Sequence, residues 1–202
     1  MYYRRKEIEN ALNHFKVIVN FLENEKISFD KEVFLGVAYL YIGLILREQE
    51  KIEESKENFK NAFQIGNSNL KVKLKYCLLR AIYYKKRGNL ILTHKFLKTG
   101  FETVEFDFEN KEILKLLIDL ILEMTEFYIH YKKDVKKAHS LLENIENRIT
   151  LKDISNIKRA IRWNLLMSDF YNRYSENREK SQFYLKQSQK LKTQLHTIGI
   201  SE

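Results

Sequence analysis

Not one of the 202 residues is a proline, and only six are glycine. A chain this poor in turn formers is no turn-rich all-β domain, collagen-like fibre or Pro-rich linker, and long helices are what remain. Apolar residues return every three or four positions, as one helical face requires. They do so in Ile8, Leu12, Phe15, Val19 and Leu22, in Ile113, Leu117, Leu120, Met124 and Phe127, and in Phe183, Leu185, Leu191 and Leu195. Breaks fall at short polar stretches, at 24–28, 47–51, 66–69, 87–89, 106–110, 132–134, 150–153 and 175–177. Asp30, Asp107, Asp153 and Asn177 can accept hydrogen bonds from first-turn amides, and Gly66 and Gly88 suit the left-handed residue that ends a helix. The reading is an antiparallel array of about nine helices.

Composition narrows the class. With 44% apolar residues the chain is not disordered, and one cysteine, Cys77, excludes an intramolecular disulfide framework and a multi-cysteine zinc site. The formal net charge is +9. The basic residues are spread out rather than gathered into the stripe that a phosphate backbone demands, and a Lys-, Asn- and Ile-rich coding bias accounts for the excess. The basic start, Met1 to Lys6, runs into Glu7 and Glu9 and is no signal peptide. Phe34 to Leu46 is uncharged but too short to span a bilayer, and Ile113 to Phe127 is interrupted by Lys115, Asp119 and Glu123. These features point to a cytoplasmic protein with no membrane partner.

The helices repeat. Tyr39-x-x-Ile42-Gly43-x-x-Leu46 is followed by Ser55-x-x-x-Phe59-x-x-Ala62. Cys77-x-x-Arg80-Ala81-x-x-Tyr84 is followed by Thr93-x-x-x-Leu97-x-x-Gly100. Looser copies are Leu122 to Ile129 with Ala138-x-x-x-Leu142-x-x-Ile145, and Leu165 to Asn172 with Ser181-x-x-x-Leu185-x-x-Ser188. Small residues such as Gly43 and Ser55 let two helices of a pair lie close, and large residues fill the space on either side.

These spacings resemble the tetratricopeptide repeat, an aromatic-x-x-Leu-Gly-x-x-Tyr helix followed by Ala-x-x-x-Phe-x-x-Ala. The resemblance covers nearly the whole chain and implies an all-α fold, a right-handed superhelix of antiparallel helix pairs forming a tetratricopeptide-like solenoid. The proline that usually ends the repeat is absent, and the wider spacing implies longer helices than the standard unit. The expected organisation is a single repeat domain over 1–202, with a half repeat at 1–27 and full repeats at about 28–68, 69–106, 107–150 and 151–202. Tyr2 to Ile8 reads as the end of a first helix and its turn, with a second helix from Ala11, so the chain is expected to be the C-terminal part of a longer protein.

Nothing in the sequence supports catalysis. The histidines (His14, His94, His130, His139, His196) are scattered, no Gly-rich phosphate loop or nucleophile elbow occurs, and no cofactor is expected. Glu123 and Glu126 read as members of a solvated face, and Cys77 as a buried structural thiol. No helix-turn-helix or zinc finger is present, so sequence-specific nucleic-acid binding is not expected.

The repeat register instead implies a concave wall made by the first helix of each pair. It assigns to that wall Tyr41, Leu44 and Arg47, then Ile82, Lys85 and Lys86, then Met124, Phe127, His130 and Tyr131, and finally Trp163, Met167, Phe170, Arg173 and Tyr174. Asn164 is added as a donor and acceptor for a peptide backbone. Aromatic anchors and adaptable methionines suit a short extended peptide, and cations on the rim suit its carboxylates. The apolar members fit packing between repeats equally well, and a solvated face is the plainer role for Arg47, Lys85, Lys86 and Arg173. In general character the chain resembles the C-terminal sensing domain of Gram-positive cytoplasmic peptide-pheromone receptors. That resemblance implies quorum sensing and transcription regulation, a short peptide or protein segment as concave-face partner, and a homodimer as one assembly. A scaffold or an enzyme-regulating repeat protein with no small-peptide ligand are the alternatives.

Overall fold

A computed structural model of the chain describes residues 2–24, 29–104, 110–151, 153–175 and 177–197 (for 2–6 and 29, the backbone only). It holds nine α-helices among them: α1 Tyr2–Glu23, α2 Phe29–Glu48, α3 Ile52–Ser68, α4 Leu70–Lys86, α5 Leu90–Glu102, α6 Lys111–Phe127, α7 Val135–Glu146, α8 Ile154–Arg173 and α9 Arg178–Thr197. No helix is long and apolar enough to cross a membrane among the described residues.

Asparagine and aspartate start many of these helices. The side chains of Asn69, Asn89, Asp134, Asp153 and Asn177 each accept a hydrogen bond from the backbone amide three residues on, and Asn110 accepts from two. Each cap satisfies a first-turn amide that the helix itself leaves unpaired. Asp153 and Asn177 thus act as the sequence suggests, Asp30 lies inside the first turn of α2, and Asp107 lies outside the described residues. Gly88 ends α4 at φ +71°. Gly66 does not end α3, which continues to Ser68. A Cβ on Gly66 would lie 3.3 Å from the Cα of Lys73, so its role is close approach of α3 to α4. A second departure concerns the start: α1 is one continuous helix, with no turn between Ile8 and Ala11.

The helices pair as α2 with α3, α4 with α5, α6 with α7 and α8 with α9, and α1 packs on α2. The first helices also touch in succession, α2 to α4 to α6 to α8, making an inner row, while each second helix leans on the first helix of the following pair. That is a solenoid of antiparallel helix pairs. One apolar core runs through α4 to α8, with smaller clusters between α1 and α2, among α2, α3 and α4, and between α8 and α9.

Each crossing is built on small residues. Ser55 is buried and donates its Oγ hydrogen to the Gly43 carbonyl at 2.8 Å. In the last pair Ser181 does the same to the Ser168 carbonyl at 3.0 Å. Thr93 and Ala138 hold the matching buried places, as do Ala81 and Thr125 on the first helices. The pattern weakens at Leu185, which is 41% exposed. In the third pair α6 runs into a π turn, Tyr128–Lys132, that ends at Lys133 in the left-handed region.

Gly43 has no room for a side chain, because a Cβ there would lie 2.7 Å from the ring of Phe59. Gly43→Val is expected to lower stability by about 2 kcal/mol in a urea titration, despite any gain in helix propensity. An unchanged unfolding midpoint would show that the crossing is not held this tightly.

Candidate functional site

The side chains expected on one wall fall into three environments. Met124, Phe127, Trp163, Asn164, Met167 and Phe170 are buried. Phe127 stacks on His94 of α5 with centroids 5.5 Å apart, and Phe170 on His139 of α7 at 4.6 Å. Trp163 donates its Nε1 hydrogen to the Leu142 carbonyl at 3.0 Å, and Asn164 turns its amide back to the Ala160 carbonyl of its own helix at 2.8 Å. The aromatic and Met members therefore serve the contact with second helices rather than an open wall. The reason is energetic: burying such a side chain is worth about 1.5–3 kcal/mol, and these large apolar residues of a first helix go to the second helix of the preceding pair. Leu44 and Ile82 are half-buried against neighbouring apolar clusters, Tyr41 stacks on Phe15 of α1 at 5.0 Å, and the Tyr174 hydroxyl donates to the Ile129 carbonyl at 2.6 Å.

The second environment is a set of ion pairs across the inner row. Lys85 of α4 reaches Glu123 at 2.6 Å and Glu126 at 2.9 Å on α6. Arg162 of α8 reaches the same two carboxylates at 2.7 and 2.5 Å. Arg159 grips Asp119 with two hydrogen bonds, at 2.8 and 2.7 Å, and His130 lies 3.4 Å from Asp169, which also pairs with Arg173. Glu123 and Glu126 are thus not members of a free solvated face: Glu123 is buried, Glu126 is half-buried, and both tie three helices together. Burial by itself would raise the Glu126 carboxyl, but the hydrogen bonds and charges of Lys85 and Arg162 outweigh it and leave it below the usual range. The third environment is open surface, where Lys86 and Tyr131 sit.

Arg47 leads elsewhere, to a cleft of about 750 Å³ between α3 and α5 with α4 as its floor. Its walls are Phe59 and Phe63 of α3, Tyr76 and Tyr84 of α4, and Phe96 of α5. Tyr84 and Phe96 stack on one another at 5.6 Å, and the edge of Tyr76 meets Phe59 and Phe96. In their midst lies Arg80, its guanidinium carbon 3.9 Å from the Phe59 ring centre, 4.9 Å from Phe96, 5.1 Å from Tyr84 and 5.6 Å from Tyr76. One of its terminal nitrogens donates to the Tyr84 hydroxyl at 2.8 Å, and its Nε is buried without a hydrogen bond among the described residues. Cys77 lies in the floor; burial pushes its thiol up to about 11, against the opposing pull of Lys73 and Arg80, which disfavours the thiolate form. Among the described residues no three His, Cys, Asp or Glu side chains gather as a metal site needs.

The sequence carried a signal for this cleft. In the repeat register Arg80 holds the place of Ile42, Met124 and Met167, which are all buried. An arginine in an apolar slot, with aromatic residues one turn either side, marks the repeat that departs from the packing rule.

No protein-family model matches the chain, and no curated protein matches it. Among solved structures, the crystal structure of BtubC (BKLC) from P. vanneervenii superposes with a TM-score of 0.66, over 99% of this chain and 78% of that one. At 10% identity the likeness is one of fold, a helical array of the same general build.

The ion pairs predict a pH dependence. Because Glu126 is held below its ordinary value, its contribution to stability is complete above the unfolded-state pKa and is lost as pH falls through the lower folded-state value. Glu126→Gln should cost roughly 2 kcal/mol at neutral pH, and urea midpoints of variant and parent should converge on acidification. Curves that stay parallel would mean that Glu126 adds nothing through its charge.

Proposed function

We propose that this chain is a non-catalytic binding module of tetratricopeptide type, which holds a peptide or protein segment in the cleft between α3 and α5. The observation that carries the reading is the cleft itself. Its size is in the range of small-ligand and peptide-anchor sites, its walls are aromatic, and it is open at Phe63, which is 45% exposed. Rigid aromatic side chains around a concave opening are the composition of binding hot spots, since they present large area at little entropic cost.

The ion-paired inner row supports the cleft over the inner wall as the docking surface, because a ligand there would first have to separate Lys85 and Arg162 from Glu123 and Glu126. Within this reading, the ligand-sensing part of a bacterial cytoplasmic peptide-responsive regulator is the narrower form, and a scaffold that holds a protein partner is the broader one. The same cleft serves both.

Selection of a displayed random-peptide library on the immobilised full chain tests the proposal. Enriched peptides should lose at least about tenfold in affinity on Phe63→Glu, a substitution at an exposed position that leaves the unfolding midpoint in place. A failure to enrich any peptide, or peptides that bind the variant as well as the parent, would remove the cleft from consideration.

A further inference from the structure

Resting on the cleft as the binding surface, we infer that its ligand is an acidic peptide segment, in which a carboxylate seats beside Arg80 next to a large apolar side chain held at Phe63. The cleft carries positive charge. Among the described residues the cleft is lined by Arg47, Lys56, Lys60, Lys73, Arg80 and Lys95, and by no Asp or Glu. Lys56 has an outside partner, Glu53, at 2.7 Å; the other five make no ion pair among the described residues. On the inner row the opposite holds, with Lys85, Arg159 and Arg162 each matched to carboxylates. Lys85, Arg159 and Arg162 are thus matched to acids within the chain, whereas Arg80 and its basic neighbours in the cleft are not, among the described residues.

Arg80 itself has hydrogen-bonding capacity to spare. A guanidinium remains charged at any ordinary pH, and taking it out of water without a counter-ion is unfavourable. Ring faces offset part of that cost, yet Nε keeps an unused hydrogen in a buried place. The equivalent slot in the other repeats holds Ile42, Met124 or Met167, so packing alone asks for an apolar residue here. A carboxylate entering the cleft supplies what is missing, with charge-assisted hydrogen bonds of the kind a planar fork of donors makes best.

Single-stranded nucleic acid shares the negative charge and also favours aromatic residues, but it binds by stacking bases on open ring faces. Here Phe59 already carries Arg80 on its face, and Tyr84 and Phe96 cover one another. The open apolar ground is Phe63 at the mouth, which suits one large side chain of a peptide.

The test uses the full chain and fluorescence anisotropy with three labelled probes. These are a hexapeptide of sequence Glu-Phe-Glu-Glu-Phe-Glu, its counterpart with Gln for Glu, and a short oligothymidylate. The glutamate peptide should bind at least about tenfold more tightly than the glutamine peptide and the oligothymidylate. Arg80→Met should erase that preference, bringing the two peptides to similar affinity. The double variant Lys60→Gln with Lys95→Gln, at exposed positions that do not bear on folding, should reduce it severalfold. Equal binding of the two peptides to the parent would overturn the inference, as would tighter binding of the oligothymidylate. If library-selected peptides depend on Phe63 yet show no preference for carboxylates, the cleft stands as a binding site and the ligand class proposed here fails.

Discussion

The contact between Gly43 and the Phe59 ring governs much of this structure. With no Cβ on Gly43 and a hydroxyl from Ser55 reaching its carbonyl, α2 and α3 approach closely enough for Phe59 to lie against the backbone of α2. That fixed ring in turn receives the Arg80 guanidinium from α4. One small residue thereby sets the crossing of a pair, the position of an aromatic wall and the place of a charge in the next repeat. Close packing makes such a chain of dependence stiff, since each ring is held by contacts it cannot give up cheaply.

The two sides of α4 treat charge differently, and the difference has a physical logic. Toward the inner row, Lys85 meets Glu123 and Glu126, and Arg162 meets them from the far side, so the charges cancel across three successive first helices. Such a network is weak evidence for stability but fixes which helix faces which. Toward α3 and α5, Arg80 has aromatic rings and one phenol hydroxyl instead of an acid. The acid–base pairs of Lys85 and Arg162 are complete within the chain; Arg80 has no acid partner among the described residues. Binding at the cleft would add contacts across two repeats at once, which in a solenoid is where neighbours exchange stabilisation.

Much of the fold was legible because it rests on spacing. The period of apolar residues marks the helices, and Gly43 with Ser55 and Ala81 with Thr93 mark the crossings, all of them properties of the local chain. Gly66 misled because glycine ends helices more often than it permits close approach within one. The candidate wall was less legible, because the sequence shows that Phe127, Trp163 and Phe170 share the register of first helices but not which side of a helix meets the second helix of the preceding pair. A small rotation about the helix axis converts a wall into a core. Arg80 was visible as a letter in the repeat pattern; its meaning came from setting it against Ile42, Met124 and Met167 in the same slot. The pairing of Lys85 with Glu123 and Glu126 joins residues far apart in the chain, and no local pattern announces it.

The central claim is that recognition happens between α3 and α5 rather than along the inner row. NMR chemical-shift mapping of the full chain with a library-selected peptide addresses it most directly. The account predicts shifts concentrated at Phe63, Tyr76, Arg80 and Phe96, with the Glu123 and Arg162 region unmoved. Shifts that instead follow α6 and α8 along the inner row, with α3 and α5 silent, would contradict it.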